Sequence, residues 1–392
     1  MWQECKDIQD YIVGIRRALH QIPELGTNLP QTQAAICAEL DKLGIEYRKN
    51  QGDSGIIGAI KGGKGSKTIL LRADIDALPI TEQTGLSFAS KNEGRMHACG
   101  HDSHAAMLLG ALKVLKAHEK ALPGTVNFVF QTGEEISKGA KIAIKEGVMD
   151  GVDAVFGLHI GSIISPDLPP GTLVVTPGCC MASFDRFVLK VKGMGCHGST
   201  PEKGVDPITI ASHIVISLQE VIAREIAAPR PAVLTVGKIA GGFAFNVIPG
   251  EVEIEGTIRA FEDEVRQYLA KRIGEISSSV AATFRGSCDY EMDWGAPPVV
   301  NDDAMAKLAG DAAKKALGAE HVITEVPSPN MGGEDFAYYL EQKPGAFMFL
   351  SSANPAKNTN IPHHNPKFDL DEDVFYKGSA VFVAIVEDFL GC

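Results

Sequence analysis

Residues 96–104 read Met-His-Ala-Cys-Gly-His-Asp-Ser-His. Nine residues hold three imidazoles, one thiol and one carboxylate, donors that bind zinc, nickel, cobalt or manganese. A polar loop that happens to be His-rich would not predict matching donors downstream, and they recur in order. Gln131-Thr132-Gly133-Glu134-Glu135 follows the apolar, β-rich run 126–130, so a strand end delivers two adjacent carboxylates. Gly157-Leu158-His159 follows a second such run, 154–156. Pro362-His363-His364-Asn365-Pro366 lies in a Pro-rich loop after the strand-like run 346–350. In open α/β sheets the ligand crevice lies outside the carboxyl ends of the strands, where these segments can converge.

The elements that must position them follow from periodicity. Ile8, Ile12, Ile15 and Leu19 recur at helical spacing, so the chain opens with an amphipathic helix. Residues 68–71 form a short buried strand leading to Asp74 and Asp76, and 105–115 a helix with Met107, Leu108, Leu112 and Leu115 on its apolar face. This alternation runs to about His159 and predicts an α/β fold with a mixed, mostly parallel sheet flanked by helices. The pattern then changes. After Pro-rich 166–170 and a crossing at 178–182 come strands at 187–191, 233–239 and 252–255 and helices at 208–221 and 266–280. Those elements make an α+β unit inserted into the larger one. The expected boundaries are 1–182 with 294–392 for the catalytic, metal-binding domain, and 183–293 for the insertion. The α/β pattern resumes at 304–317 and 346–350.

Composition excludes several classes. The chain has 392 residues and a formal net charge of -12, which argues against a nucleic-acid footprint. No apolar stretch approaches the roughly 18 residues that a membrane span needs. The N-terminus, Met-Trp-Gln-Glu-Cys-Lys-Asp, lacks a basic region followed by an apolar one, so a cytoplasmic location is expected. Eight cysteines at irregular spacing in a long chain predict free thiols rather than a disulfide framework.

Within the acidic pair, adjacent residues on an extended segment point to opposite sides, so Glu135 can bind a cation while Glu134 faces a substrate as general base. Asp74 and Asp76 form a further pair, fit for support from behind the ligands or for capping the following turn. His97 and His104 read as supporting or internally satisfied residues rather than ligands.

Taken in order, these segments resemble the M20 metallopeptidases, and within them the amidohydrolase branch of aminoacylases, hippurate hydrolases and indole-acetyl-amino-acid hydrolases. The resemblance covers nearly the whole chain. Its further motifs are Arg16-Arg17-Ala18-Leu19-His20-Gln21-Ile22-Pro23-Glu24-Leu25-Gly26, Leu71-Arg72-Ala73-Asp74-Ile75-Asp76-Ala77-Leu78-Pro79, His197-Gly198-Ser199-Thr200-Pro201, Asn246-Val247-Ile248-Pro249, Gly256-Thr257-Ile258-Arg259 and Met331-Gly332-Gly333-Glu334-Asp335-Phe336.

The resemblance implies a binuclear metal-dependent amidohydrolase that cleaves the amide bond of N-acyl amino acids. The alternative within the same fold is a dipeptidase or carboxypeptidase. A metal-binding module without catalysis would not need Glu134. By position, the resemblance implies Cys99, His101, Glu135, His159 and His364 as ligands to two divalent ions (zinc, manganese, nickel or cobalt), with the Cys99 thiolate a candidate bridge. Asp74 stands where the wider family carries a metal-binding His. The resemblance also implies catalytic roles for Glu134 and His197, substrate binding by Asn246 and Arg259, and a homodimer in which the inserted domain acts as lid and dimerisation unit. The same motifs serve several acyl groups and amino acids.

Overall fold

The apolar runs of the larger part of the chain become strands of one eight-stranded sheet. In chain order these are β1 (Glu46–Lys49), β2 (Ile56–Lys61), β3 (Thr68–Asp74), β4 (Thr125–Gln131), β5 (Ala154–Gly161), β6 (Leu173–Val174), β7 (Val322–Ile323) and β8 (Gly345–Ser351). Their spatial order is β1-β2-β4-β3-β5-β8-β6-β7. The four central strands, β4, β3, β5 and β8, run parallel. Antiparallel pairing joins β1 to β2, β2 to β4, and β8 to β6. Every residue of β5 and β8 is buried, as expected for parallel strands covered on both faces. This is the mixed, mostly parallel sheet that the αβ alternation predicts.

The computed structural model describes residues 1–63, 65–326 and 329–392. They form two compact units: Met1–Cys180, Val300–Asn330 and Asp335–Cys392 in one, and Met181–Val299 with Met331–Glu334 in the other.

In the larger unit the longer helices are α1 (Gln9–His20), α2 (Pro30–Leu43), α3 (His101–Ala117), α4 (Asp303–Leu317) and α5 (Phe375–Leu390). Four of them pack side by side in the order α1-α3-α5-α4, and α3 also lies against α2, β3 and β5. All but a few residues of α3 are buried, consistent with its central place. It starts immediately after Gly100, whose φ of 99° is a left-handed conformation that side chains rarely adopt. A Cβ at Gly100 would also fall 3.2 Å from the Ile160 side chain. The metal-type motif is therefore bent sharply between Cys99 and His101.

The smaller unit is a four-stranded antiparallel sheet in the order 232–241, 251–260, 185–192, 287–293. Helices Pro207–Glu220 and Asp263–Thr283 cover it. Burial alternates along Asp185–Lys192, with Phe187, Leu189 and Val191 in the core beside Ile214, Ile254 and Ile273. Among the described residues no disulfide joins any of the eight cysteines. Among the described residues no helix is long and apolar enough to cross a membrane.

Candidate metal centre

The carboxyl ends of the central strands carry most of the donors. β3 ends at Asp74, in register with Gln131 at the end of β4, and Glu134 and Glu135 follow in the next turn. His159 lies within β5 rather than beyond its end, where the apolar run 154–156 alone would leave it, and it is in register with Phe349 of β8. The loop after β8 carries His363 and His364, and α3 opens with His101.

These elements bring the five expected ligands into one cluster. Cys99 Sγ is 3.4 Å from His159 Nε2. Donor atoms of Cys99, Glu135 and His364 lie within 4.8 Å of one another, as do those of His101, Glu134 and Glu135. Glu135 Oε1 is 3.6 Å from His364 Nε2 and 3.9 Å from His101 Nε2. His364 adopts a φ of 62° and its N–H donates to Ala98 O at 2.8 Å, tying the loop to the segment that carries Cys99.

Several of these atoms lack a hydrogen-bond partner. Both ring nitrogens of His101 and Oε1 of Glu135 are buried and make no hydrogen bond. Each such orphan costs about 1–3 kcal/mol. A thiol, imidazoles and a carboxylate, with buried donor atoms unfilled, suit divalent transition metals, so the residues present fit the expected ions.

The surrounding hydrogen bonds set which nitrogen faces the cluster. His159 Nδ1 donates to Ile160 O at 2.9 Å, so Nε2 carries the lone pair turned toward Cys99. His104 has neither nitrogen to spare. Its Nε2 accepts Ile160 N at 2.9 Å and its Nδ1 donates to Asp74 Oδ1. Asp74 also accepts Arg72 Nη1 at 2.7 Å and lies 3.6 Å from His101 Nε2. Arg72 reaches on to Asp335 and Gln131, both at 3.0 Å. Behind α3, Asp102 accepts Arg16 Nε at 3.0 Å and His20 Nδ1 at 2.7 Å. His97 is buried with both nitrogens unpartnered, its ring 6.3 Å from that of His20.

The acidic pair is not extended. Glu134 and Glu135 occupy a turn closed by Ser137 N donating to Glu134 O at 2.7 Å. Both carboxylates approach His101 Nε2, at 4.0 and 3.9 Å, instead of diverging to opposite sides. Gly133 (φ 61°) just before them supplies the left-handed step that makes the turn.

Electrostatics follow burial. Burial, reinforced by Glu135, pushes the Cys99 thiol well above its usual range. Burial raises Glu135 to about 7, against the pull of His101. Burial also holds His159 well below an ordinary histidine, with His104 and His363 adding to the effect. Burial opposes a charge on His101, but Asp74 and Cys99 outweigh it and raise the group. Cations held by these residues would supply positive charge and favour the thiolate and carboxylate forms.

One residue of the cluster escaped the sequence-based set. His363 Nδ1 is 3.7 Å from Cys99 Sγ, and its Nε2 accepts Ser162 N at 3.2 Å. The His-His doublet was its only signal.

The other expected residues are in the smaller unit. His197 is exposed, and Ser199 N donates to its Nδ1 at 3.1 Å, which leaves Nε2–H as a donor. Asn246 is its neighbour: Gly198 N donates to Asn246 O at 2.8 Å, beside the short ladder pairing His197 with Val247. The Arg259 guanidinium lies over the Phe184 ring, 5.2 Å from its centroid.

A parallel-centred α/β sheet with a thiol–imidazole–carboxylate cluster at its strand ends defines a class of metallohydrolase. Residues 70–388 match the peptidase family M20/M25/M40, and the chain belongs to that family. It is 42% identical over 372 residues to the N-acetyl-L-cysteine deacetylase of Bacillus subtilis, covering 95% of this chain and 86% of that one. It is 36% identical over 390 residues to thermostable carboxypeptidase 1 of Saccharolobus solfataricus, covering 98% and 97%. The crystal structure of the Bacillus subtilis YXEP protein, a dinuclear metal binding peptidase of the M20 family, superposes with a TM-score of 0.82 at 36% identity, covering 97% of this chain and 98% of that one.

Proposed function

We propose that this chain is a binuclear metal-dependent N-acyl-amino-acid amidohydrolase. It cleaves the amide bond of an N-acyl amino acid and releases a carboxylic acid and a free amino acid. The observation that carries the reading is the donor cluster around the unpartnered nitrogens of His101, with the Glu134 carboxylate 4.0 Å from one of them. Cys99, His101, Glu135, His159 and His364 would hold two divalent ions (zinc, manganese, nickel or cobalt), with the Cys99 thiolate favouring the softer ones.

Bound there, the cations would supply Lewis acidity and bring the pKa of a water molecule down to about 7. Glu134 takes a proton from the attacking water, whose oxygen bonds to the amide carbon. The carbon–nitrogen bond then breaks, and Glu134 returns the proton to the leaving amine. Such proton transfer contributes about 10²–10⁴-fold. His197 Nε2–H donates to the carbonyl oxygen as negative charge develops there, a contact worth about 10²–10³-fold. Asn246 and Arg259 bind the substrate, with Arg259 taking its α-carboxylate. The assembly is a cytoplasmic homodimer in which the smaller unit of one copy serves the metal centre of the other.

The 36% identity to a carboxypeptidase favours a second reading of the same chemistry, because the last bond of a peptide is itself an N-acyl-amino-acid amide. A panel decides between them. The manganese- or zinc-loaded chain is given N-acetyl-L-cysteine, hippurate, an indole-acetyl amino acid, dipeptides and longer peptides, and free amino acid is quantified. Turnover concentrated on small acyl groups supports the amidohydrolase. Turnover on peptides alone supports the carboxypeptidase. No metal-dependent turnover on any of them contradicts both.

A further inference from the structure

The Arg259 guanidinium is half-buried, and among the described residues no carboxylate or carbonyl accepts a hydrogen bond from it. Partial burial of a charge is costly without a counter-ion. The carboxylate whose field reaches it, Asp185, is committed elsewhere. Asp185 receives Arg266 Nε at 2.8 Å and Nη2 at 2.6 Å, and Gly295 N at 3.0 Å.

What Arg259 does touch is the ring of Phe184. The ring is seated in turn by glycine. A Cβ on Gly333 would lie only 2.8 Å from Phe184 Cγ and from Cε1, and one on Gly295 only 3.2 Å from Cδ2. The backbone of Phe184 is pinned by its N–H donating to Ala296 O at 3.1 Å. A guanidinium laid on an aromatic face keeps its N–H fork in plane and uncommitted, the geometry that takes a carboxylate through two parallel hydrogen bonds.

We propose that Phe184 is a positioning residue that sets carboxylate specificity: Gly333 seats its ring, the ring orients Arg259, and the free guanidinium edge receives the α-carboxylate of the N-acyl amino acid. The inference rests on the reading of Arg259 given above. It adds that carboxylate recognition depends on an aromatic platform making no contact with substrate. A second glycine-side lever follows, since Gly333→Ala pushes the ring without touching Arg259 or Phe184 chemically.

The test compares kcat and KM for N-acetyl-L-cysteine and for its carboxamide, N-acetyl-L-cysteinamide, in the metal-loaded wild type and in Phe184→Leu, Phe184→Tyr and Gly333→Ala. Wild type should favour the acid. Phe184→Leu should raise KM for the acid about three- to thirtyfold, the range that cation–π contacts span, and leave the carboxamide within about twofold. Phe184→Tyr should restore the wild-type preference, and Gly333→Ala should reproduce the Phe184→Leu pattern. Thermal midpoints of all variants separate this from loss of fold, and Gly333→Ala carries the test if Phe184→Leu is unstable. A Phe184→Leu enzyme that keeps the acid preference, or loses rate equally on both compounds, overturns the proposal while leaving the reading of Arg259 intact. A wild type that treats acid and carboxamide alike, or hydrolyses neither, overturns that reading, and the proposal falls with it.

Discussion

Asp76 accepts the backbone N–H of Glu134 on one carboxylate oxygen, at 3.1 Å, and reaches the next N–H, that of Glu135, with the other, at 3.2 Å. A single buried side chain two residues beyond β3 thus fixes the turn that presents both acidic residues, and it also lies 3.4 Å from His101 Nδ1. Asp76→Asn replaces one acceptor with an amide that faces another donor. Metal affinity or kcat should fall about 10–100-fold, the usual effect of losing a residue that orients ligands from behind. Competition against a chelator and steady-state kinetics measure the two. Wild-type values for both would show that the turn holds itself.

Glu135 and Glu134 should separate functionally although both approach the same nitrogen. Glu135→Gln removes a charge next to His364 and His101 and should chiefly lower metal content, read as metal per chain after dialysis. Excess metal should then restore part of the activity. Full occupancy in that variant would contradict the assignment of Glu135 as a ligand.

The anchor of α3 has a pH signature. Burial works to raise Asp102, but Arg16 and His20 hold it well below the ordinary 3.8. A depressed acid contributes stability that is present above its unfolded pKa and is lost as pH falls through its folded one. Asp102→Asn leaves the fully buried Arg16 short of a partner and should cost about 3 kcal/mol at pH 7. Urea unfolding of the metal-free proteins should show that gap narrowing once pH drops below about 4. A gap that stays constant to pH 2 would contradict it.

The donors were legible because each is local: a dense motif, or a residue at the end of an apolar run. Their supports were not. Arg72 meets Asp335 across 263 positions, and Arg16 meets Asp369 across 353, pairings made only once the sheet order and helix packing exist. His363 was hidden by its neighbour, since two adjacent imidazoles in a loop give no period to say which turns inward. The turn at Glu134 was masked by the strand before it. Strands β1 and β2, on one side of the sheet, and helices α2 and α5 carry no donors of the cluster, and the motif-led reading passed over them.

The proposed homodimer predicts complementation. Glu134→Gln and His197→Ala chains, each inactive alone, are mixed under conditions where subunit exchange is confirmed. If the smaller unit serves the partner's centre, one site in each heterodimer keeps both residues, and activity should recover to about a quarter of wild type per chain. Confirmed exchange with no recovery would contradict a site shared between copies.

The most direct test of the central claim is Glu134→Gln, with turnover of N-acetyl-L-cysteine and metal per chain measured on the same sample. The substitution keeps shape and removes the base. Turnover should fall by about two to four orders of magnitude while metal occupancy stays at the wild-type level of about two ions. Near-wild-type turnover with metal retained would contradict the assignment of Glu134 as the group that moves the proton.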